Sequence, residues 1–394
     1  MRALLGLAVV LAVAGCDKKS RRAASPSPSA RAAADAALSP AAPFLLLAGH
    51  QATDAQARYL PVEIPDGVVK LRAELTAAAL PVPGWDGHFH GVAAHHRGVW
   101  AVAEKSGAGH RVVVQRFDLA GSLAVIELGN VEPVALHLTE DGVLVGATEG
   151  RLLYARLVTG PAQILVERKD ARKAYDLFAR AGDRVLAIDD VVRPLFADWL
   201  QIGGGATPRR VGDWAMPGLI NGIYTHAALI ATADGHALYV VAPYGIMDGW
   251  GHELARMPIR GDKLDMPPDL ILNSGGGPAV EEHVSRRTSQ PEKLVAGTEF
   301  TDFTGLAVDA AAGKVLVAAQ ARGLFVFPLD LGGGKAAVLP TKGPCHDVVV
   351  ADGRVFVLVE EAGKGVLLVV GWDGGQAAVR SRHDLPAVYQ RFVR

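Results

Sequence analysis

The feature that most constrains this chain is a unit that returns six times: a small or polar opener, an apolar run, a two-residue turn and a second apolar run. It is clearest at His346-Asp347-Val348-Val349-Val350, then Asp352-Gly353, then Val355-Phe356-Val357-Leu358. Earlier copies turn at Arg97-Gly98, Asp141-Gly142, Gly182-Asp183, Asp234-Gly235 and Ala312-Gly313. Short runs rich in Val, Leu and Ala and punctuated by Gly read as strands, and Asp-Gly and related pairs supply the positive φ that a tight hairpin needs. The turn glycines lie 44, 40, 53, 78 and 40 residues apart, and the longest interval contains a loop-like insertion from Gly275 to Gln290. A second hairpin usually follows the first, as in Leu153 to Leu157 with Gln163 to Val166. Two hairpins in every ~40–50 residues is what stacked four-stranded blades produce. The expected fold is therefore all-β, a β-propeller of six or seven four-stranded blades over residues 43–394. A pair of β-sandwiches would not repeat in this way. Residues 44 to 80 have strand composition without a clean turn, and are expected to form a degenerate seventh blade or to donate the strand that closes the ring.

The stretch from Gly305-Leu306-Ala307-Val308 through Gly323-Leu324-Phe325-Val326-Phe327-Pro328-Leu329-Asp330 resembles the bacterial LVIVD-type propeller repeat. Val185 to Val192 with Pro194 to Ile202, and Val348 to Leu368, are looser copies. The resemblance implies a propeller at the cell surface or in the periplasm, and implies no particular activity.

The N-terminus carries a different signal. Arg2 precedes an apolar run, Ala3 to Ala14, that is too short to span a bilayer as a helix, so residues 1–15 read as a cleaved signal peptide. The run ends in Val13-Ala14-Gly15-Cys16, which resembles the bacterial lipobox; the resemblance implies that Cys16 is lipidated and becomes the mature N-terminus. Asp17 after such a cysteine resembles an inner-membrane retention signal of enterobacteria, a rule that varies between bacterial groups, so inner and outer membrane both stay open. Residues 16–42 hold four early cations and then an Ala/Ser/Pro tract, with too little apolar surface to offset chain entropy; they are expected to form a flexible tether. The expected location is the cell envelope, lipid-anchored and facing the periplasm or cell surface.

With Lys+Arg 40 against Asp+Glu 41, no global field points to nucleic acid. If Cys16 is lipidated, Cys345 has no intramolecular partner, and the exported domain must stand without disulfides.

Candidate chemistry gathers where each blade's innermost strand begins, because polar groups there face the ring axis. Those positions hold His90, Asp176, His226, Thr304 and His346. The three imidazoles of His90, His226 and His346, with Asp86 and His88 nearby, are a candidate divalent-metal site, and with a water they would suit Zn²⁺. The competing reading is a structural one, since channel-facing histidines also serve to hydrogen-bond a neighbouring blade. Tyr244, Asp248, Trp250 and His252, on a long aromatic-containing hairpin connection, are the candidate ligand-binding residues, together with the 275–299 insertion. Asp189-Asp190 lacks the spacing of a calcium loop, and Cys345-His346, adjacent on one strand, point to opposite faces. No Gly-x-Ser-x-Gly elbow and no His-Glu-x-x-His stretch occurs.

The sequence thus leads to an envelope-anchored binding or assembly module with a protein or small-ligand partner, no nucleic acid and no resident cofactor. The alternative is a metal-dependent hydrolase, lactonase- or esterase-like, built on the channel histidines. Replacing Cys16→Ser is expected to move the protein from the membrane fraction to the soluble fraction on cell fractionation; retention of the variant would contradict the anchor.

Overall fold

The computed structural model of the chain describes residues 44–49, 56–78, 82–83, 89–90, 92–96, 98–107, 109–116, 122–157, 162–168, 174–189, 195–203, 206–216, 225–246, 249–261, 263–264, 285–287, 303–320, 322–331 and 336–394. The expected signal peptide and tether, with Cys16, lie outside these residues.

Seven four-stranded antiparallel blades form the ring, six of them with their strands in chain order from the axis outwards. The innermost strands of blades one to six are Ala93–His96, Pro133–Leu138, Tyr175–Ala181, His226–Thr232, Phe303–Asp309 and Cys345–Ala351. Blade seven is composite. Its innermost strand, Arg391–Val393, comes from the C-terminal segment and pairs with Phe44–Gly49, which in turn pairs with Gln56–Glu63. The described strands among residues 44–78 therefore belong to the expected seventh blade, and the strand that completes it innermost comes from the C-terminal segment. The outermost position there is split between Lys70–Leu71 and Leu75–Ala78, and the single 3₁₀ turn among the described residues, Pro65–Gly67, lies beside them.

Why strands form is plain from the turns. At Asp352-Gly353 both residues take positive φ (50° and 65°), the type I′ geometry that matches the twist of its flanking strands. Why the strands stack follows from their burial. Every residue of Gly142–Ala147 is buried, as are the middles of Val99–Ser106, Arg354–Glu361 and Lys364–Asp373. A strand that is apolar on both faces needs a sheet on each side. The core accordingly divides into seven apolar layers, one for each interface between adjacent blades. The layer that joins blade seven to blade one rests on Leu46 and Tyr59 against Trp100, Val102 and Val113, with the Tyr59 and Trp100 rings 5.4 Å apart. Blades also approach at backbone distance: a Cβ on Gly146 would collide with the carbonyl oxygen of Tyr175 in the next blade, so only glycine fits there.

Closure is secured by one carboxylate. Asp347 is buried at the start of the sixth innermost strand. It accepts hydrogen bonds from the backbone N–H of Val348 (2.8 Å), from that of Phe392 (2.8 Å), and from the Arg394 guanidinium (2.6 Å). Arg394 also donates to the carbonyl of Val348, and the backbone N–H of His95 in blade one reaches the Arg394 carbonyl at 3.4 Å. Replacing Asp347→Ala leaves the Phe392 N–H and the guanidinium without their acceptor. A loss of about 1–3 kcal/mol is expected in denaturant unfolding, the cost of leaving a buried donor unpaired, since Arg394 is half-exposed and regains water; a loss below about 0.5 kcal/mol would show that the clamp does not hold the ring.

Candidate functional site

Each innermost strand starts at one end of the ring, here the upper rim, and turns back at the lower rim. The connections between blades and the hairpins joining second to third strands also lie at the upper rim.

At the upper rim the repeat's openers become a recurring β-bulge. Pairing with the second strand skips one residue between Tyr175 and Leu177, between Phe303 and Gly305, and between Cys345 and Asp347. The extra residues are Asp176, Thr304 and His346, three of the five predicted openers, and a bulge re-aims the residue it carries. Val134 takes the same role in blade two. Two of these side chains are tied into the ring: Thr304 donates to the carbonyl of Cys345 in the next blade (2.7 Å), and His346 Nε2 lies 3.3 Å from the Glu360 carboxylate on its own blade's second strand. Burial lowers the His346 pKa, and Glu360 opposes that effect.

The three predicted metal histidines do not share this position. His226 begins a strand that pairs without a bulge, and its Nδ1 lies 3.1 Å from Thr225 Oγ1. The backbone of His90 pairs with Val82 in a separate two-stranded ribbon ahead of blade one. His226 and His346 stand on blades four and six, which are not neighbours. Among the described residues, no group of three or more His, Cys, Asp or Glu is arranged to hold a metal ion; the side chain of His90, and all of Asp86 and His88, lie outside them. Cys345 is buried, and burial pushes its thiol well above the ordinary range, away from thiolate chemistry. Asp189 is buried at the end of Arg184–Asp189, and Asp190 lies outside the described residues.

The predicted ligand-binding segment lies on the longest hairpin among the described residues. Gly235–Ile246 and Gly249–Arg260 pair in unbroken register through 12 residue pairs, from Gly235 with Arg260 to Ile246 with Gly249. The innermost strand of this blade stops at His226, opposite Val241, so five pairs extend beyond it. At ~3.3 Å per residue the hairpin projects by about 16 Å. Tyr244 stands in this extension opposite Gly251, Trp250 opposite Gly245 and His252 opposite Pro243; Asp248 lies outside the described residues. Ser285–Arg287, from the predicted insertion, pairs with Glu253–Ala255 and braces the base of the hairpin.

Sequence reasoning missed a second cluster, at the lower rim. Counted back from the turn, His95, His137 and Arg180 occupy one register level on three successive blades, opposite Trp100, Leu144 and Val185. His96 is next to them, and Glu140 follows in the second blade's turn. Arg180 donates to Glu140 Oε1 (2.6 Å) and to the Gly182 carbonyl (2.9 Å). His96 Nε2 is 3.6 Å from the same Glu140 oxygen, an ion-pair distance rather than a hydrogen bond. His96, ahead of Arg180, holds the Glu140 carboxyl well below the usual carboxylate range. Burial lowers both His95 and His137 to about 3, helped at His137 by Arg180. Both imidazoles are therefore neutral at physiological pH. The signal was present in the sequence, since aligning the copies on their turns rather than their openers puts these polar residues in one column.

No protein-family model matches the chain, and no curated protein matches it. Solved structures do. A protein from Lactobacillus plantarum aligns over 90% of this chain and 100% of its own, with a TM-score of 0.56 at 11% identity. A candidate 6-phosphogluconolactonase from Bacteroides uniformis aligns over 89% and 99%, with a TM-score of 0.53 at 10% identity. At such identities these likenesses establish the fold and nothing beyond it.

Acid sensitivity follows from the lower rim. Free histidine titrates near 6.5, whereas folded His95 and His137 titrate near 3. Below about pH 6.5 the unfolded chain therefore takes up protons that the folded chain refuses, and stability falls as pH falls, by up to ~1.4 kcal/mol per pH unit for each histidine. His137→Asn is expected to flatten the slope between about pH 6 and 4 by close to one proton, measured by urea unfolding across that range. An unchanged slope would place the neutral imidazole elsewhere.

Proposed function

We propose that this protein is a lipid-anchored propeller of the bacterial cell envelope that binds a partner through its upper rim and performs no catalysis of its own. The observation that supports this reading best is the hairpin Gly235–Arg260, which carries five residue pairs beyond the ring and is braced by a strand from the neighbouring insertion. Most strands of the other blades run six to ten residues, so the projection is not needed to build a blade. Extended segments on a rigid scaffold are where recognition residues accumulate, and Tyr244, Trp250 and His252 lie on this one. Anchoring through Cys16 would place the ring within tether's reach of a membrane surface, where a membrane or envelope protein is the natural partner. The bulged openers Thr304 and His346 are better suited to holding the ring than to chemistry, because Thr304 is turned onto the next blade and His346 onto Glu360 of its own.

The test is cross-linking in intact cells, comparing the wild type with a variant whose residues 242–253 are replaced by a two-residue turn. A discrete cross-linked species, present in the wild type and lost in a variant that still melts cooperatively, is the expected result. Equal cross-linking by both would rule out the hairpin. Metal analysis of the same preparations decides against the hydrolase reading unless it finds about one ion per chain, lost on His90→Ala, His226→Ala and His346→Ala.

A further inference from the structure

The chain enters the ring at the lower rim of blade seven. Arg391–Val393 runs down towards that rim like the other innermost strands, and Phe44–Gly49 pairs with it antiparallel, so Phe44 stands at the lower end of its strand. The backbones of Phe44, Glu63 and Lys70 share one register level across three adjacent strands. At ~4.8 Å between strands, Lys70 is about 10 Å from the point of entry. The turn Pro65–Gly67 closes this corner. A Cβ on Gly67 would collide with the guanidinium of Arg354, which follows the lower-rim turn Asp352-Gly353 of blade six.

That corner presents apolar side chains to solvent. Five large apolar residues are exposed among the described residues. Val125, Ile164 and Val379 stand singly on the outermost strands of blades one, two and six, and single exposures need no explanation. Val68 and Leu71, 58% and 39% exposed, are three residues apart in one segment, and exposed Lys70 and Arg72 flank Leu71. The carboxylates of Glu63 and Glu74 are engaged, by Arg72 (2.5 Å) and by the Tyr389 hydroxyl (2.5 Å); the side chain of Asp66 lies outside the described residues. Exposed apolar tips among cations suit a lipid interface, where the tips enter the headgroup region and the cations meet its phosphates. On the lipid-anchor reading, Cys16 precedes Phe44 by 28 residues. A flexible chain of that length averages roughly 30 Å end to end, which holds this corner near the bilayer at an effective concentration of the order of millimolar. A contact too weak to recruit a free protein is then sufficient. We propose that the lower corner of blade seven is a membrane-contact surface, in which Val68 and Leu71 enter the headgroup region of an anionic bilayer and Lys70 and Arg72 meet its phosphates. The proposal rests on the lipid-anchor reading and adds an orientation to it: the hairpin Gly235–Arg260, at the opposite rim, is turned away from the membrane.

The test uses the protein purified from membranes and reconstituted into vesicles of phosphatidylethanolamine and phosphatidylglycerol. Val68→Cys and Asp384→Cys are each labelled with an environment-sensitive fluorophore; Cys345 is buried, so the introduced thiol takes the label. Asp384 is the control, exposed at the upper end of the outermost strand of blade six. Flotation of the vesicles is measured first. Protein that fails to float contradicts the anchor, and the proposal falls with it. In floated protein, a blue shift and quenching by spin-labelled lipid are expected at Val68→Cys and neither at Asp384→Cys. Adding Lys70→Glu to the Val68→Cys protein should weaken the quenching at least about twofold. Quenching at Val68→Cys no stronger than at Asp384→Cys, or unchanged by Lys70→Glu, would overturn the contact surface while leaving the anchor in place.

Discussion

The ring depends on strands that are apolar on both faces. Gly142–Ala147 and the buried stretches of the other second and third strands cannot be satisfied by their own sheet, which covers neither face. Each blade is stable only as a filling between two others, and the last free face is removed only when the ring meets itself. That places an unusual demand on the two ends of the folded segment. Phe44–Gly49 and Arg391–Val393 must find each other across the whole chain, the longest loop that folding has to close. Asp347 makes the meeting specific: its two oxygens fix the Phe392 N–H and the Arg394 guanidinium, while apolar packing supplies the bulk of the energy. Apolar layers alone would tolerate a shift of the closing strand; a carboxylate with paired donors does not.

The same demand explains what happens to polar residues near the axis. Where innermost strands begin, adjacent blades converge and their backbones leave little room, as Gly146 against Tyr175 and Gly305 against Asp347 both show. A bulge there frees one residue per strand, and Thr304 uses that freedom to reach the Cys345 carbonyl across the interface. A comparable device lies deeper between blades two and three. Buried Asp198 there accepts from Arg168 (2.9 Å), from Arg210 (2.5 Å) and from the Tyr175 hydroxyl, joining strands of both blades. The charges that are buried at seams between sheets, Asp347 and Asp198, fix the relative position of surfaces that apolar contact alone would let slide.

Much of this was legible in the sequence. Turn pairs such as Asp352-Gly353 dictate backbone geometry locally, so the hairpins and their spacing could be read directly, and with them the blade repeat. The seventh blade was legible only as strand composition, because its partners are 343 to 347 residues apart in the chain (Ala48 with Arg391, Leu46 with Val393) and pairing across that distance leaves no local pattern. The openers were found, but not their fates: Asp176, Thr304 and His346 look equivalent to His226 until the bulge is seen, and a bulge depends on how two blades meet rather than on the residue that occupies it. The hairpin residues Tyr244, Trp250 and His252 were singled out for the length of their connection; the structure adds that this length is paired strand standing clear of the ring. The lower-rim arc escaped because its members are separated by about 40 residues each and become neighbours only when the copies are aligned on their turns.

That arc bears on how a propeller divides its labour. Several structural polar groups in this ring come in satisfied sets: Asp347 with three donors, Thr304 with its carbonyl, Trp372 Nε1 donating to Asp309 (2.9 Å). The lower-rim set differs in its placement: Arg180 and His96 meet on Glu140 across blades one to three, while blades four to six place Ala231, Val308 and Val350 at the level of Arg180. A requirement of the fold would recur around the ring, as the bulges and the apolar layers do. One that appears on a single arc joins three particular blades rather than closing seven. The two rims then differ in kind: the upper one extends a paired ribbon outward, and the lower one ties three blades together through Glu140.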